Sequence, residues 1–169
     1  MSPSKHQIAV IDVQGFHGIN NNFIAKEISI CFNLTCHQQF LIKPPFNFAL
    51  LSKKQQKQAL WLTKNHHGID WDAGQLSLLD VKKYLRFNLK NYKVFVKGKQ
   101  KVSWLKNNFD INATALRDED CPISLKDLLE RYRVQIQCSA HGDESFVCAL
   151  RNSIAIRHFI ANDAVFLEN

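Results

Sequence analysis

The beginning of the chain has the hydrophobic pattern of strands. Residues 7–16, QIAVIDVQGF, are rich in Ile and Val, and their strand is predicted to end at Gly15. In residues 22–32, NFIAKEISICF, odd- and even-numbered side chains form two sets that would face opposite sides of a sheet, and this pattern predicts a second strand. Residues 37–43, HQQFLIK, give a third run before two consecutive prolines, which cannot continue a ladder. These runs, with the Gly- and Asn-rich turn after the first, predict three consecutive antiparallel strands.

Helical spacing dominates the chain after these strands. Ser52 and Ser124 each precede a helical run and are predicted N-caps, and Gly68 fits the end of the first helix. Ser145 is predicted to cap a long apolar last helix, and His66 and His67 are interpreted as residues that finish the first one. The helices are predicted at KKQQKQALWLTKNHH, LSLLDVKKYLRFNL, KVSWLKNNF, LKDLLERY and FVCALRNSIAIRHFIAN, and two further strands at YKVFVKG and RVQIQC.

The predicted order is three strands followed by alternating helices and strands. A three-stranded antiparallel meander followed by strand–helix units produces a mixed sheet with flanking helices. The fold class predicted for residues 1–169 is therefore α/β, and the length favours one domain.

The composition indicates the cellular compartment in which we expect the protein. No apolar run reaches the roughly 18–20 residues of a membrane-spanning helix, and the first residues lack the apolar core of a secretory signal. We therefore expect an intracellular protein of the cytoplasm or nucleus, with no membrane partner. In that setting the five cysteines are interpreted as buried thiols or metal ligands rather than as disulfides.

The net charge of +7 is distributed unevenly. Residues 81–109 contain no carboxylate, whereas the acids collect in later segments. A long cationic window indicates a polyanionic partner such as a nucleic acid, and the alternative is a solvated surface that maintains solubility. The predicted nucleic-acid-binding residues are Lys82, Lys83, Arg86, Lys90, Lys93, Lys97, Lys99, Lys101 and Lys106.

The segment CSAHGDESFVC contains a candidate metal site. Cys138 and His141 have C-x2-H spacing, and Cys148 follows near the start of the last predicted helix. Thiolates and imidazoles are the ligands that zinc prefers, and four such ligands form a closed structural site. A third thiolate, Cys121, would suit the fourth position. The alternative is that these residues are packed in the interior, where cysteines are common.

Several blocks of the sequence resemble a known family. IDVQGF, AKEISI, VFVKGKQKVSWL and the late His before CALRN are similar to the Maelstrom domain of the germline small-RNA pathway, in scattered blocks from Ile8 to about Phe159. That domain resembles a DEDD-type exonuclease of the ribonuclease H-like fold, with which the predicted order is compatible. DVQGF, KPPF, HHG and CAL also resemble arthropod proteins of mobile-element character. The resemblance implies a Glu-Cys-His-Cys zinc set of Glu27, Cys138, His141 and Cys148.

The resemblance also predicts that most of the catalytic carboxylates of an active exonuclease are replaced in this chain. An active DEDD exonuclease holds two hydrated Mg²⁺ ions with four carboxylates. Asp12 is the remnant candidate, whereas Gln14, Lys101 and Cys148 stand where the other acids are expected. Two-metal chemistry is therefore predicted to be lost. The family has been linked to metal-independent RNA cleavage, so a weak ribonuclease activity is an expectation of the resemblance alone.

The first interpretation is a degenerate exonuclease-like domain with a structural zinc. It would bind single-stranded RNA or another nucleic acid in a germline small-RNA (piRNA) silencing pathway, with proteins of that pathway as partners. The second is an active metal-dependent nuclease that uses Asp12, Glu27, Glu144 and His141. The third is a protein-interaction scaffold.

Overall fold

A computed structural model of the chain describes residues 7–19 and 22–163. Its centre is one sheet of five strands. They are β1 (Gln7–Ile19), β2 (Asn22–Asn33), β3 (Cys36–Leu41), β4 (Tyr92–Lys97) and β5 (Ala113–Leu116). The first three form an antiparallel meander, β4 pairs parallel with β1, and β5 pairs parallel with β4, in the order β3-β2-β1-β4-β5. The predicted α/β class with a mixed sheet is confirmed.

Helices flank this sheet. They are α1 (Lys53–Leu62), α2 (Leu78–Asn88), α3 (Lys99–Phe109), α4 (Leu125–Arg131) and α5 (Ala149–Asn162). A short 3-10 turn, Phe48–Leu50, precedes α1, and a π-helical turn, Thr63–His67, follows it. Ser52 and Ser124 cap α1 and α4 as predicted. In the described part of the chain, none of the helices has both the length and the apolar character needed to span a bilayer.

The two faces of the sheet pack against different helices. Alternate residues of β1, such as Ile11 and Val13, contact the core formed by α2 and α3. Val10 packs on the opposite face with apolar side chains of α4 and α5. Asp12 shares that face, because its carboxylate meets the side chain of Asn152 in α5. The polar groups of the first two strands are thus directed towards α5.

Strand β1 continues beyond its predicted end at Gly15. The pairing with β2 shifts register between Gln14 and Gly15, which is the signature of a β-bulge. A side chain at Gly15 would place its Cβ only 2.0 Å from the carbonyl oxygen of Ile24. The glycine therefore permits close approach of the two strands and does not end the first one. The predicted turn, FHGINNN at residues 16–22, is too long, because β1 continues to Ile19 and β2 begins at Asn22. Its residues 20 and 21 lie outside the described residues.

Two predicted elements of the second half are wrong. Residues 133–138, RVQIQC, form no strand. Val134 and Ile136 instead pack beside α5, without a partner strand. The fifth strand is instead Ala113–Leu116, which pairs with β4. The cap of α5 is Cys148 and not Ser145, since the Cys148 sulfur accepts the Arg151 amide hydrogen at 3.4 Å.

Candidate metal centre

Four predicted ligands meet at the junction of β2 and α5. Glu27 belongs to β2, Cys138 and His141 to the segment between α4 and α5, and Cys148 is the N-cap of α5. One ligand atom from each lies within 4.8 Å of those of the other three. Glu27, His141 and Cys148 are buried, and Cys138 is half-buried. These residues, separated by up to 121 positions in the chain, form a group that could hold a metal ion.

The Glu27 carboxylate lies at the N-terminus of α5. Its Oε2 accepts the backbone amide hydrogen of Ala149 at 3.0 Å, and its Oε1 accepts that of Leu150 at 3.2 Å. Both amides belong to the first helical turn, where they have no partner within the helix. Burial raises the pKa of Glu27, but hydrogen bonds from His141, Ala149 and Gln39 outweigh it and the pKa is lowered. The carboxylate is therefore held in its charged form.

The two thiols differ in their protonation. Hydrogen bonding with Cys148 lowers the pKa of Cys138 to about 4, against the opposing effect of burial. The same interaction, together with burial, raises the pKa of Cys148. Gln39 also donates from Nε2 to the Cys138 sulfur at 2.8 Å, and the Cys148 thiol donates to Glu27 Oε1 at 3.6 Å. The lowered pKa favours the thiolate form of Cys138, which is the form that binds metals.

His141 is oriented by the π-helical turn. Its Nδ1 contacts the backbone carbonyl of His67, so Nδ1 carries a hydrogen and Nε2 faces Glu27, with 3.2 Å between Nε2 and Oε2. Burial opposes the charged form, but Cys138 and Glu27 raise the pKa of His141 to about 10. Nε2 is buried and, among the described residues, has no hydrogen bond of good geometry. A ring fixed by a carbonyl at one nitrogen is the usual arrangement of a metal-ligating histidine.

Two distances within the ligand group are close to those around a tetrahedral ion. Metal–sulfur bonds of about 2.3 Å and metal–nitrogen or –oxygen bonds of about 2.0–2.1 Å separate neighbouring ligands by roughly 3.3–3.8 Å. The distance from His141 Nε2 to Glu27 Oε2 is 3.2 Å, and that from Cys148 Sγ to Glu27 Oε1 is 3.6 Å. Nε2 lies beside the Glu27 carboxylate without a hydrogen bond of good geometry, and its lone pair would be available to a cation that replaces its proton.

Cys121, the alternative fourth ligand, lies elsewhere. It is buried with Val10 and Leu128 in the core beneath α4 and α5, and its thiol points to the carbonyl of Ile123 at 3.9 Å. It does not belong to the ligand group found among the described residues. The fourth member of this group is therefore Glu27.

Two contributors to the centre were missed in the sequence. Gln39 of β3 donates to both Glu27, at 2.6 Å, and Cys138. It lies opposite Ser29 in the β2–β3 register, two residues from Glu27 on the same face, so only the strand pairing identifies it. His67 ends the helical turn as predicted, and it is in addition buried, with its carbonyl fixing His141. The π-helical turn that directs this carbonyl has no sequence signal.

Asp12 lies in a second polar cluster. Its carboxylate is fully buried and contacts the ammonium group of Lys101. Asn152 donates to it at 2.9 Å and Gln14 at 3.5 Å. Asp12 and Lys101, two of the positions that the resemblance compares with catalytic acids, are thus paired with each other. Of the four residues of the alternative nuclease, Glu27 and His141 lie in the metal group, Asp12 lies against Lys101, and Glu144 is exposed.

The nine predicted nucleic-acid-binding cations are divided among three elements. Lys97 donates to the Cys121 carbonyl at 2.9 Å, Lys101 contacts Asp12, and Lys106 is paired with Asp110 at 2.7 Å. Lys82, Lys83, Arg86 and Lys90 lie on or just after α2, Lys93 and Lys97 on β4, and Lys99, Lys101 and Lys106 on α3. Arg86 also approaches Asp110, at 3.7 Å, so four of the nine are engaged with oxygen acceptors of the protein, and Lys90 and Lys93 lie over the rings of Phe87 and Phe95. The α2 group is the largest local concentration.

No family model matches the chain, and no curated protein matches it.

Proposed function

We propose that this chain is a ribonuclease H-like domain of the Maelstrom type, with a structural zinc at Glu27, Cys138, His141 and Cys148. It binds single-stranded RNA and does not carry out two-metal hydrolysis. The convergence of these four side chains into one ligand group carries the proposal. The resemblance adds the setting, which is small-RNA silencing in the cytoplasm or nucleus.

The sheet supports the fold in this proposal. Three antiparallel strands are followed by two that run parallel to β1, and helices cover both faces. This is the meander followed by parallel strand–helix units on which the ribonuclease H-like prediction depends. Asp12 lies on the central strand β1, next to α5, where the remnant of a catalytic carboxylate is expected.

Zinc would connect three parts of the chain. Glu27 supplies an oxygen from the sheet, Cys138 and His141 a sulfur and a nitrogen from the preceding segment, and Cys148 a sulfur from the start of α5. Four protein ligands leave no open position for substrate, so the ion acts on folding and not on chemistry. The mixed sulfur, nitrogen and oxygen set favours zinc over magnesium or calcium.

Lys101 argues against two-metal catalysis at Asp12. A dication at this carboxylate would face the Lys101 ammonium, and like charges in a buried place repel strongly. Neutral amides, Gln14 and Asn152, supply the other contacts. The cluster is thus already charge-balanced without an ion.

Zinc content is the first test. Purified wild-type protein is expected to contain about one zinc per chain by elemental analysis, and Cys148→Ser to lose it. Cys121→Ser is the matched control, because its thiol is equally buried but lies outside the ligand group. A folded wild type without zinc would contradict the proposal and would leave Glu27 as a purely hydrogen-bonded cap of α5.

RNA binding is tested separately. A labelled oligouridylate is expected to bind with a dissociation constant that rises roughly 20-fold between about 50 and 200 mM salt, as about three phosphate contacts require. Lys83→Glu, on the exposed side of α2, is expected to reduce the affinity. No binding at low salt would contradict the RNA-binding part and would favour the scaffold alternative.

A further inference from the structure

A cavity of about 1020 Å³ lies beside the Asp12 cluster. Its walls come from the end of β1, the first turns of α3, helix α4 and the segment before α5. Exposed residues such as Lys126, Glu130 and Ser145 line it, so the cavity is open to solvent. Its volume is at the upper end of the range for small-ligand sites. None of the ligands of the candidate metal centre lines it.

The cavity has a polar floor of amide groups. Gln14 and Asn152 line it although more than nine-tenths of each residue is buried, and their side chains are fixed by the Asp12 carboxylate. Gln100 adds a third, exposed amide from α3. Amides present both donors and acceptors, as the edges of nucleobases do.

Aromatic rings form part of the walls. Trp104 is half-buried and meets Phe23 edge to face, with 5.4 Å between ring centroids. Phe146, from the segment before α5, also lines the cavity. Such rings provide stacking surfaces for a flat ligand.

The charged side chains that line the cavity indicate which part of a nucleotide it would bind. The cavity is lined by three cations, Lys101, Lys126 and Arg151, and by two acids, Glu130 and Glu144. Lys101 is already paired with Asp12, and the terminal nitrogens of Arg151 donate to backbone carbonyls at 2.8 Å. The interior is therefore nearly balanced in charge, which suits an uncharged heterocycle better than a phosphate. Lys126, at the open side, remains for the backbone of a strand.

We propose that this cavity takes one unstacked base of a single-stranded nucleic acid, with its edge on the amide floor and its face against the aromatic wall. The inference rests on the proposed RNA binding and specifies how that binding involves a base. Affinity then has two parts: a phosphate part, which depends on salt, and a base part, which depends on the cavity.

Two probes separate these parts. One is an oligouridylate of about ten nucleotides, and the other is an abasic ribose-phosphate chain of equal length and charge. Gln100→Trp fills the cavity from an exposed position of α3, and Asn107→Trp adds the same ring elsewhere on that helix. Dissociation constants are measured for both probes with each protein, and zinc content confirms that each is folded around its metal centre.

The wild type and Asn107→Trp are expected to bind the base-bearing probe about tenfold more tightly than the abasic probe, and Gln100→Trp to bind the two equally. Equal binding of the two probes by the wild type would overturn the base site while RNA binding stands. A difference that persists in Gln100→Trp would overturn the cavity as its location. Failure of both probes to bind would refute the proposed RNA binding as well. Competition by free uridine would show that the base needs no strand, which supports the site as well.

Discussion

The ammonium group of Lys101 contacts the carboxylate of Asp12, which has no solvent exposure. The two residues are 89 positions apart, on α3 and β1. A buried carboxylate requires a cation or several hydrogen bonds, and here a lysine and two amides meet that requirement. The charge pair connects α3 to the central strand of the sheet.

Removal of Lys101 is therefore expected to destabilise the protein. Lys101→Met leaves Asp12 buried without a cation and should lower the free energy of unfolding by about 3 kcal/mol. Asp12→Asn combined with Lys101→Met should restore most of this loss, because neither charge remains. Denaturant unfolding measures both. Lys99→Met, an exposed lysine two residues earlier, is the control, and an equal loss in that variant would refute the explanation.

Metal removal is expected to weaken the fold. Because the binding free energy of a structural zinc is folding free energy, a strong chelator should lower the free energy of unfolding by about 3 kcal/mol or more. Cys148→Ser should already show the lower value and should not respond to the chelator. Unfolding curves with and without chelator provide the measurement. A chelator effect of the same size in both proteins would exclude this centre as its source.

Gln39 is expected to tune metal affinity without binding the ion. Gln39→Leu removes hydrogen bonds to Glu27 and Cys138 and should weaken zinc binding by about 10- to 100-fold. Gln38→Leu, the neighbour on the opposite face of β3, should leave the affinity unchanged. Competition with a chromophoric chelator measures both constants. Equal affinities of the two variants would argue against the role of Gln39.

Lys26 predicts a pH dependence of stability. Burial lowers its pKa to about 8, although the Asp72 carboxylate opposes this change, and its ammonium donates to the carbonyls of Trp71 and Ala73 at 2.7 and 2.5 Å. Between about pH 8 and the ordinary value of 10.5, the unfolded chain binds more protons than the folded one. The free energy of unfolding should therefore rise with pH across this window, by about 3 kcal/mol.

The matched variant for this effect is Lys26→Met. Its unfolding free energy should change less with pH over the same window, since the titrating group is absent. Urea unfolding at several pH values gives both curves. Parallel curves for the wild type and the variant would mean that Lys26 keeps an ordinary pKa in the folded protein.

The bulge in β1 predicts unequal effects of two glycine substitutions. Gly15→Ala places a methyl group 2.0 Å from the Ile24 carbonyl oxygen and should cost about 3 kcal/mol of stability or more. Gly142→Ala meets only a ring atom of Phe146, at 3.7 Å, and should change stability by about 0.5 kcal/mol or less. Thermal unfolding compares them. A tolerated Gly15→Ala would mean that the strands can separate at the bulge.

The sequence predicts elements whose pattern is local. Alternating side chains and the two prolines locate the three-stranded meander, and serine caps locate α1 and α4. Strand β5 is only four residues long, whereas the unpaired segment 134–138 alternates apolar residues with glutamines as a strand would. Only the presence of a neighbouring strand distinguishes them.

The ligands of the candidate metal centre also differ in whether a local sequence pattern predicts them. The two cysteines and His141 are suggested by spacing, whereas a single glutamate in a strand has no metal pattern. Glu27 was therefore predicted only through the resemblance. Cys121 was an equally reasonable donor by chemistry, and the packing of α4 and α5 places it in another core. Tertiary contacts decide which donors meet.

The π-helical turn at Thr63–His67 makes the metal centre sensitive to the number of residues in this helix. Its closing hydrogen bond spans five residues, from the Gly68 amide to the Thr63 carbonyl, one more than in an α-helix. Deletion of one residue would let α1 continue regularly and would rotate the His67 carbonyl by about 100° away from His141. An insertion or deletion in this helix would therefore disturb the metal centre while every ligand residue is retained.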